Sequence, residues 1–366
     1  MKKLRLKKKN AFIALAIVIF IIIEIINPTK LIAVSKLIKM KYSKEASQKI
    51  IKLGLKNDIL ENEYNKFIDL NVIDENFNNE YYDYYKDINY DKKINMNIVN
   101  KLKEKGYSSK ETSLILKREK ESDIENFLEK DKYDSIISYL EYDYAKLMNL
   151  DRYINYKNKN GLSFEEVVTN VNLGLDNEFY TNYREVDKFN FTMLVNKYNK
   201  LSSSFVPDDL ISFSSLYCKG NCPSDNKEVV NAFERMAKDL YEEEKLNIYV
   251  NSAYRSYKEQ EETYNRLTKL YGSNYDVAKA GFSEHQTGLC VDIKAGSSNT
   301  FKGSKEEKWL NNNAYKYGFI LRYPSNKVKI TGYNEVWHYR YVGSIAEDVK
   351  KSGLTFDEYY VKYLDK

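Results

Sequence analysis

Only two histidines occur in the 366 residues of this chain, and each sits in a short stretch that pairs it with a carboxylate. The first is Ser283-Glu284-His285-Gln286-Thr287-Gly288-Leu289-Cys290-Val291-Asp292, and the second is Glu335-Val336-Trp337-His338-Tyr339-Arg340. Gly288 permits a turn with positive φ between the imidazole and the aspartate. Leu289, Val291 and Ile293 alternate with Cys290 and Asp292, which predicts a strand leaving that turn with Asp292 facing away from its apolar neighbours. In the second stretch Trp337, Tyr339 and Tyr341 face one way, and His338 and Arg340 the other. Glu335 lies three positions before His338, so a straight strand would turn it away; it is expected on the preceding loop. Two imidazoles, one carboxylate and an open position for water compose a catalytic zinc site. A spare carboxylate supplies the general base that such a site needs. Spacing alone does not separate such a site from ordinary surface or core histidines, which are the commoner case.

The surrounding phrases extend the pattern. They are Ser252-Ala253-Tyr254-Arg255-Ser256-Tyr257 followed by Gln260; Lys316-Tyr317-Gly318-Phe319-Ile320-Leu321-Arg322-Tyr323-Pro324; Ile330-Thr331-Gly332-Tyr333; and Trp337 through Gly343. Together with Ser-x-His-x-x-Gly-x-x-x-Asp and Glu-x-x-His, they make residues from about 191 to 360 resemble the VanY-type zinc D-alanyl-D-alanine carboxypeptidases, relatives of the LAS metallopeptidases. The resemblance implies that His285, Asp292 and His338 hold zinc and that Glu335 is the catalytic base. It implies substrate binding and charge stabilisation by Arg255, as a guanidinium suits a C-terminal carboxylate or an oxyanion. Gln260 matches a position near the substrate, and Ser283 either binds substrate or shapes its loop. The implied activity is hydrolysis of the C-terminal D-alanine of peptidoglycan stem peptides. The alternatives are an L,D-carboxypeptidase, a cross-link endopeptidase and a non-enzymatic wall-binding scaffold. Two positions depart from the family, which usually has a small alanine at Cys290 and often a proline at Val336. Alternation places Cys290 on the face of Asp292, where it is either a small buried hydrophobe or a thiolate ligand.

Formal net charge is +5, but Lys2, Lys3, Arg5, Lys7, Lys8 and Lys9 crowd the start and leave the remainder near neutral. A nucleic-acid partner is therefore not supported. Residues 11–26 are apolar except for Glu24, a helical length of about 24 Å against a hydrocarbon core of about 30 Å. This predicts a basic cytoplasmic tail at 1–10 and a transmembrane anchor at 11–30, contacting the cytoplasmic membrane and exporting the rest as a single-pass protein. A cleaved signal ending near Ala33-Val34-Ser35 is the rival reading. Cys218 and Cys222 either close a small disulfide loop outside the cell or remain two thiols.

Residues 31–188 read as an all-α, repeat-like spacer or binding region. Three similar phrases each put a serine, Ser43, Ser108 or Ser163, where a helix N-cap belongs, with acidic residues following. The tyrosine clusters Tyr81, Tyr82, Tyr84, Tyr85 and Tyr139, Tyr142, Tyr144 read as packing between helices, with a surface for wall glycan or protein as the functional alternative. From 189 to 366 an α+β catalytic domain is expected, with a small central antiparallel sheet flanked by helices. Its elements are an amphipathic helix over 229–244, strands over 247–252, 320–323 and 328–331, a helix over 309–317, and a short C-terminal helix capped by Thr355. Tyr333 and Trp337 read as pocket wall or core.

Overall fold

The computed structural model describes residues 28–218, 222–272 and 277–365. The basic tail and the anchor expected at 11–30, as far as residue 27, lie outside the described residues. Among the described residues no helix is long and apolar enough to cross a membrane. The chain forms two compact units, one ending at Glu141 and including Ala145–Leu150, the other formed by Tyr142–Tyr144 and Asp151 onward.

The first unit is a succession of short helices. Ser43 caps Lys44–Lys52 by accepting from the Ala46 N–H, and Ser108 caps Ser109–Arg118 in a full capping box with Glu111. Each satisfies amide groups that the first helical turn leaves unpaired. Ser163 makes the same box with Glu166 at the head of Phe164–Leu173 in the second unit. The tyrosines pack as expected. Tyr85 is fully buried against Phe67 and Phe77, and Tyr82 and Tyr139 are buried. The hydroxyls of Tyr42 and Tyr107 accept from the Asn65 and Tyr133 amides, so ring and polar tip are both used.

The second unit is built on four antiparallel strands: β1 (Ile248–Ser252), β2 (Cys290–Ala295), β3 (Phe319–Tyr323) and β4 (Glu335–Tyr341), in the order β1-β2-β4-β3. Ile248, Val250, Val291, Ile293, Leu321 and Tyr339 share one face and pack on helix α1 (Lys227–Glu244). That helix buries the expected stripe of Val229, Phe233, Met236, Ala237 and Leu240. The other face carries Asp292, His338, Cys290, Arg340 and Arg322. Helix α2 (Tyr257–Tyr271) follows β1 and is opened by a capping box of Ser256 and Glu259. Near the C-terminus Thr355 and Glu358 make a further box, as the sequence predicts for that cap. Cys218 and Cys222 are joined by a disulfide, with Cα atoms 5.4 Å apart.

Two expectations fail locally. Val328–Thr331 is a helical turn, not a strand, closed by Gly332 at φ +74°. The sheet offers this segment no apolar face to cover, since Val328 is exposed and Ile330 only partly buried. Trp337 is 40% exposed rather than pocket wall or core, because the β3–β4 register breaks around it. The core on α1 is tightly filled, with Phe233 fully buried and edge-on to Phe213. Replacing Phe233 with Ala should cost about 3–5 kcal/mol in chemical denaturation, whereas Phe233→Leu should cost distinctly less. Equal midpoints for Phe233→Ala and the parent would show that the core does not depend on this side chain.

Candidate metal centre

The site is assembled by three backbone devices. Antiparallel pairing sets Asp292 of β2 directly opposite His338 of β4. A short 3₁₀ turn, Glu284–Thr287, brings His285 back over β2 and ends at Gly288, at φ +65°. A Cβ on Gly288 would lie 3.0 Å from Pro207 Cγ and 3.1 Å from Asp225 Oδ1, so glycine is required by space as well as by φ. The third device is the register shift between β3 and β4: Leu321 pairs with Tyr339, but Tyr323 pairs with Glu335. The surplus residues on β4 form an irregularity of the bulge type, which re-aims side chains near active sites. Glu335 therefore opens the strand rather than sitting on the preceding loop. Its Oε2 lies 3.6 Å from His338 Nδ1, on the side that a straight strand would deny it.

Each imidazole is oriented by its outer nitrogen. His285 Nδ1 lies 2.6 Å from the Ala253 carbonyl oxygen, which leaves Nε2 facing Asp292 Oδ2 at 3.3 Å. His338 Nε2 lies 3.3 Å from Glu284 Oε2, which leaves Nδ1 facing Asp292 Oδ1 at 3.0 Å. Outer-nitrogen contacts of this kind fix the tautomer of a metal-ligating histidine. Two donors at about 2.0–2.1 Å from a tetrahedral ion stand roughly 3.4 Å apart, close to both observed separations. Three groups that would each offer a lone pair thus meet at one point, an arrangement that needs a cation or protons between them. The donor set fits zinc.

Electrostatics say the same. Burial would lower the His285 imidazole, but the Cys290 sulfur and the Asp292 carboxylate overcome it and push the group up to about 10 when no metal is bound. Asp292 is driven the other way. Burial raises it, and the two imidazoles hold it well below the usual carboxylate range. The site is therefore built around positive charge, which protons supply until a metal displaces them.

Beneath His338 lies a buried ionic network that the sequence reading missed. Glu284 Oε1 accepts from Arg322 Nε at 2.7 Å and from Arg340 Nη1 at 3.0 Å, while Arg322 also pairs with Asp357. Arg340 Nη2 donates to the Met193 carbonyl at 2.8 Å. Both arginines and Glu284 are fully or almost fully buried. Burial alone would raise the Glu284 carboxyl, but the two guanidinium groups hold it well below its ordinary range. The residues were visible in the quoted phrases. Arg340 alternates with His338, and Glu284 adjoins His285, but nothing local marks them as partners.

Arg255, Gln260 and Ser283 also line the cleft of about 350 Å³ that opens over the imidazoles, together with Glu335, Tyr323 and Tyr333. Arg255 follows β1, and its backbone N–H donates to the His285 carbonyl at 3.0 Å. Its guanidinium donates to Gln260 Oε1 at 2.8 Å and to Ser252 Oγ at 3.2 Å. Gln260 also donates from Nε2 to the Ala278 carbonyl at 2.7 Å. Both ends of its amide are engaged, so it positions Arg255. Ser283 Oγ accepts from the His285 amide at 3.4 Å and caps the turn. Tyr323 was not singled out from sequence; its ring lies 4.9 Å from that of His338.

Glu284→Gln should lower zinc affinity by about 10–100-fold, because His338 loses the charged partner that orients it. The same change should destabilise the unit by about 3–5 kcal/mol, since two buried cations are left with one carboxylate. Unchanged chelator competition and an unchanged unfolding midpoint would contradict this role. Zinc uptake at pH 7 should also release protons, because the raised His285 carries one in the metal-free protein and must lose it to bind. Affinity should accordingly rise with pH through neutrality. Calorimetry in two buffers of different ionisation heat that found no proton release would contradict it.

Comparisons with known proteins bear on the family of the chain. A profile of the VanY family, D-alanyl-D-alanine carboxypeptidase, matches residues 224–344. The protein YodJ of Bacillus subtilis (strain 168) is 35% identical over 216 residues, which cover 53% of this chain and 78% of YodJ. A D-alanyl-D-alanine carboxypeptidase of Enterococcus faecium is 39% identical over 141 residues, covering 38% of this chain and 44% of that protein, so less than half of that relative is spanned. The solved structure of the LdcB LD-carboxypeptidase is 37% identical, with a TM-score of 0.43, covering 46% of this chain and 85% of LdcB. Aligned over more than two thirds of YodJ and matched by the family profile across its paired histidine motifs, the chain belongs to the VanY family of carboxypeptidases.

Proposed function

We propose that the protein is a zinc D,D-carboxypeptidase that removes the C-terminal D-alanine of peptidoglycan stem peptides. The observation that carries this reading is the convergence of His285 Nε2, His338 Nδ1 and Asp292 beside Glu335, in one cleft with Arg255. Zinc at that point supplies Lewis acidity to the scissile carbonyl and makes adjacent water acidic. The chain supplies the rest. Glu335 is partly exposed at the cleft and close enough to the centre to take a proton from water. It then returns that proton to the leaving amine. Arg255, held by Gln260 and Ser252, presents a fixed guanidinium to the substrate's terminal carboxylate or to the oxyanion. Ser283 holds the turn that carries His285. The rings of Tyr323 and Tyr333 give an apolar wall against which the methyl group of an alanine can pack.

The site is proposed to work on the outer side of the cytoplasmic membrane. The segment at 11–30 serves as the anchor, the basic residues before it stay inside, and a Cys218–Cys222 disulfide suits an oxidising compartment. Residues 31–188 would serve as a spacer or as a contact to wall glycan or protein.

Glu335→Gln should lower kcat by about 10²–10⁴-fold while zinc content stays at the parent level. Full turnover in that variant would overturn the base assignment. Against purified stem peptides, free D-alanine should come from the pentapeptide ending in D-alanyl-D-alanine. Release only from the tetrapeptide would move the reading to an L,D-carboxypeptidase. Cleavage only of cross-linked dimers would make it an endopeptidase, and no cleavage at all would leave a wall-binding scaffold.

A further inference from the structure

The chemistry above makes no use of Cys290, yet its side chain stands inside the metal centre. It is fully buried on the face of β2 that carries Asp292, and it pairs across the sheet with Arg340, two residues beyond His338. One donor atom from each of His285, Cys290 and His338 lies within 4.8 Å of the others. Donors bound to one tetrahedral ion, with nitrogen at about 2.0–2.1 Å and sulfur at about 2.3 Å, stand roughly 3.5 Å apart. The imidazoles need no reorientation, because Ala253 and Glu284 already hold their outer nitrogens and leave the inner ones toward the thiol and Asp292. A methyl-sized filler would be expected among apolar groups. Cys290 instead faces two ring nitrogens. Asp225, another wholly buried group within electrostatic reach of Cys290, keeps one carboxyl oxygen without a hydrogen-bond partner among the described residues.

We infer that the Cys290 sulfur is a direct ligand of the bound ion, so that this chain holds its metal through two imidazoles, Asp292 and a thiolate, and water enters on the Glu335 side as a fifth ligand. The inference rests on the metal-centre reading above. When the sulfur–metal bond forms, the thiol proton leaves to solvent and no oxidant is involved. A thiolate makes the donor set softer than imidazole and carboxylate alone, which favours zinc over harder divalent ions.

X-ray absorption at the zinc edge of the full-length, zinc-loaded protein tests the assignment without reference to turnover. The fit should require one sulfur at about 2.3 Å together with nitrogen and oxygen at about 2.0–2.2 Å. The sulfur should vanish in both Cys290→Ala and the near-isosteric Cys290→Ser. Zinc affinity in both variants should fall at least about tenfold, since even outer partners of a ligand are worth about 10–100-fold. A parent spectrum with no sulfur shell, or a sulfur shell that survives both substitutions, would overturn the assignment. His285→Ala separates the two levels of the argument. If it abolishes zinc binding while the parent shows no sulfur, the metal centre stands and only the thiolate ligand falls. If it binds zinc as tightly as the parent, the centre itself is misplaced.

Discussion

The centre depends on one buried carboxylate. Glu284 sits with no solvent to stabilise it, and it persists there because Arg322 and Arg340 reach it from neighbouring strands. Those cations would themselves be intolerable alone. Arg322 is balanced by Asp357, and Arg340 spends its remaining donors on main-chain carbonyls of residues 191, 193 and 341. The network is neutral overall and satisfied at nearly every donor. Its outward product is a single oriented contact, Glu284 to His338 Nε2. Such a device gives little net stability compared with a well-packed apolar substitute. What it confers is a fixed imidazole with its Nδ1 presented to the metal position.

The antiparallel sheet converts a linear pattern into that geometry. One face is apolar and anchored by α1, so register cannot slip by one residue without exposing the core and burying the site. Asp292 and His338 are thereby held opposite each other, although 46 positions separate them. Two irregularities then complete what regular strands could not. The glycine-terminated 3₁₀ turn doubles the chain back so that His285 meets Asp292 from above. The register break on β4 turns Glu335 to the same side as His338. Arg255 is tied to the same turn through the His285 carbonyl, so its guanidinium and the His285 imidazole share one support.

What the sequence reveals follows from the range of each interaction. Helix caps are local, and Ser43, Ser108, Ser163 and Thr355 all cap the helices that their neighbours predict. The α1 stripe and the alternation in β2 and β4 are equally local, and both held. Asp292 and His338 were legible because the family pattern names them; their pairing register was not. The ionic network was hidden for a different reason. Arg322, Arg340 and Asp357 look like ordinary surface charges in one dimension, and only the packing of the C-terminal helix on β3 brings Asp357 to Arg322. Glu335 was misplaced onto a loop because period-two reasoning has no way to anticipate a register break. Residues 328–331 carried strand-like alternation but no apolar face to bury, and a helical turn closed by Gly332 resulted. Cys290 could be placed on the correct face from alternation, but its closeness to both imidazoles emerged only with His285 folded back over the strand.

The central claim is that the tautomer locks on His285 and His338 aim two different ring nitrogens at one ion beside Asp292. A crystal structure of the zinc-loaded protein, phased with anomalous differences at the zinc edge, tests it most directly. The account predicts one peak bonded at about 2.0–2.2 Å to His285 Nε2, His338 Nδ1 and an Asp292 oxygen, with Glu284 still on His338 Nε2. A zinc peak bound through His338 Nε2, or one lying away from these three side chains, would contradict it.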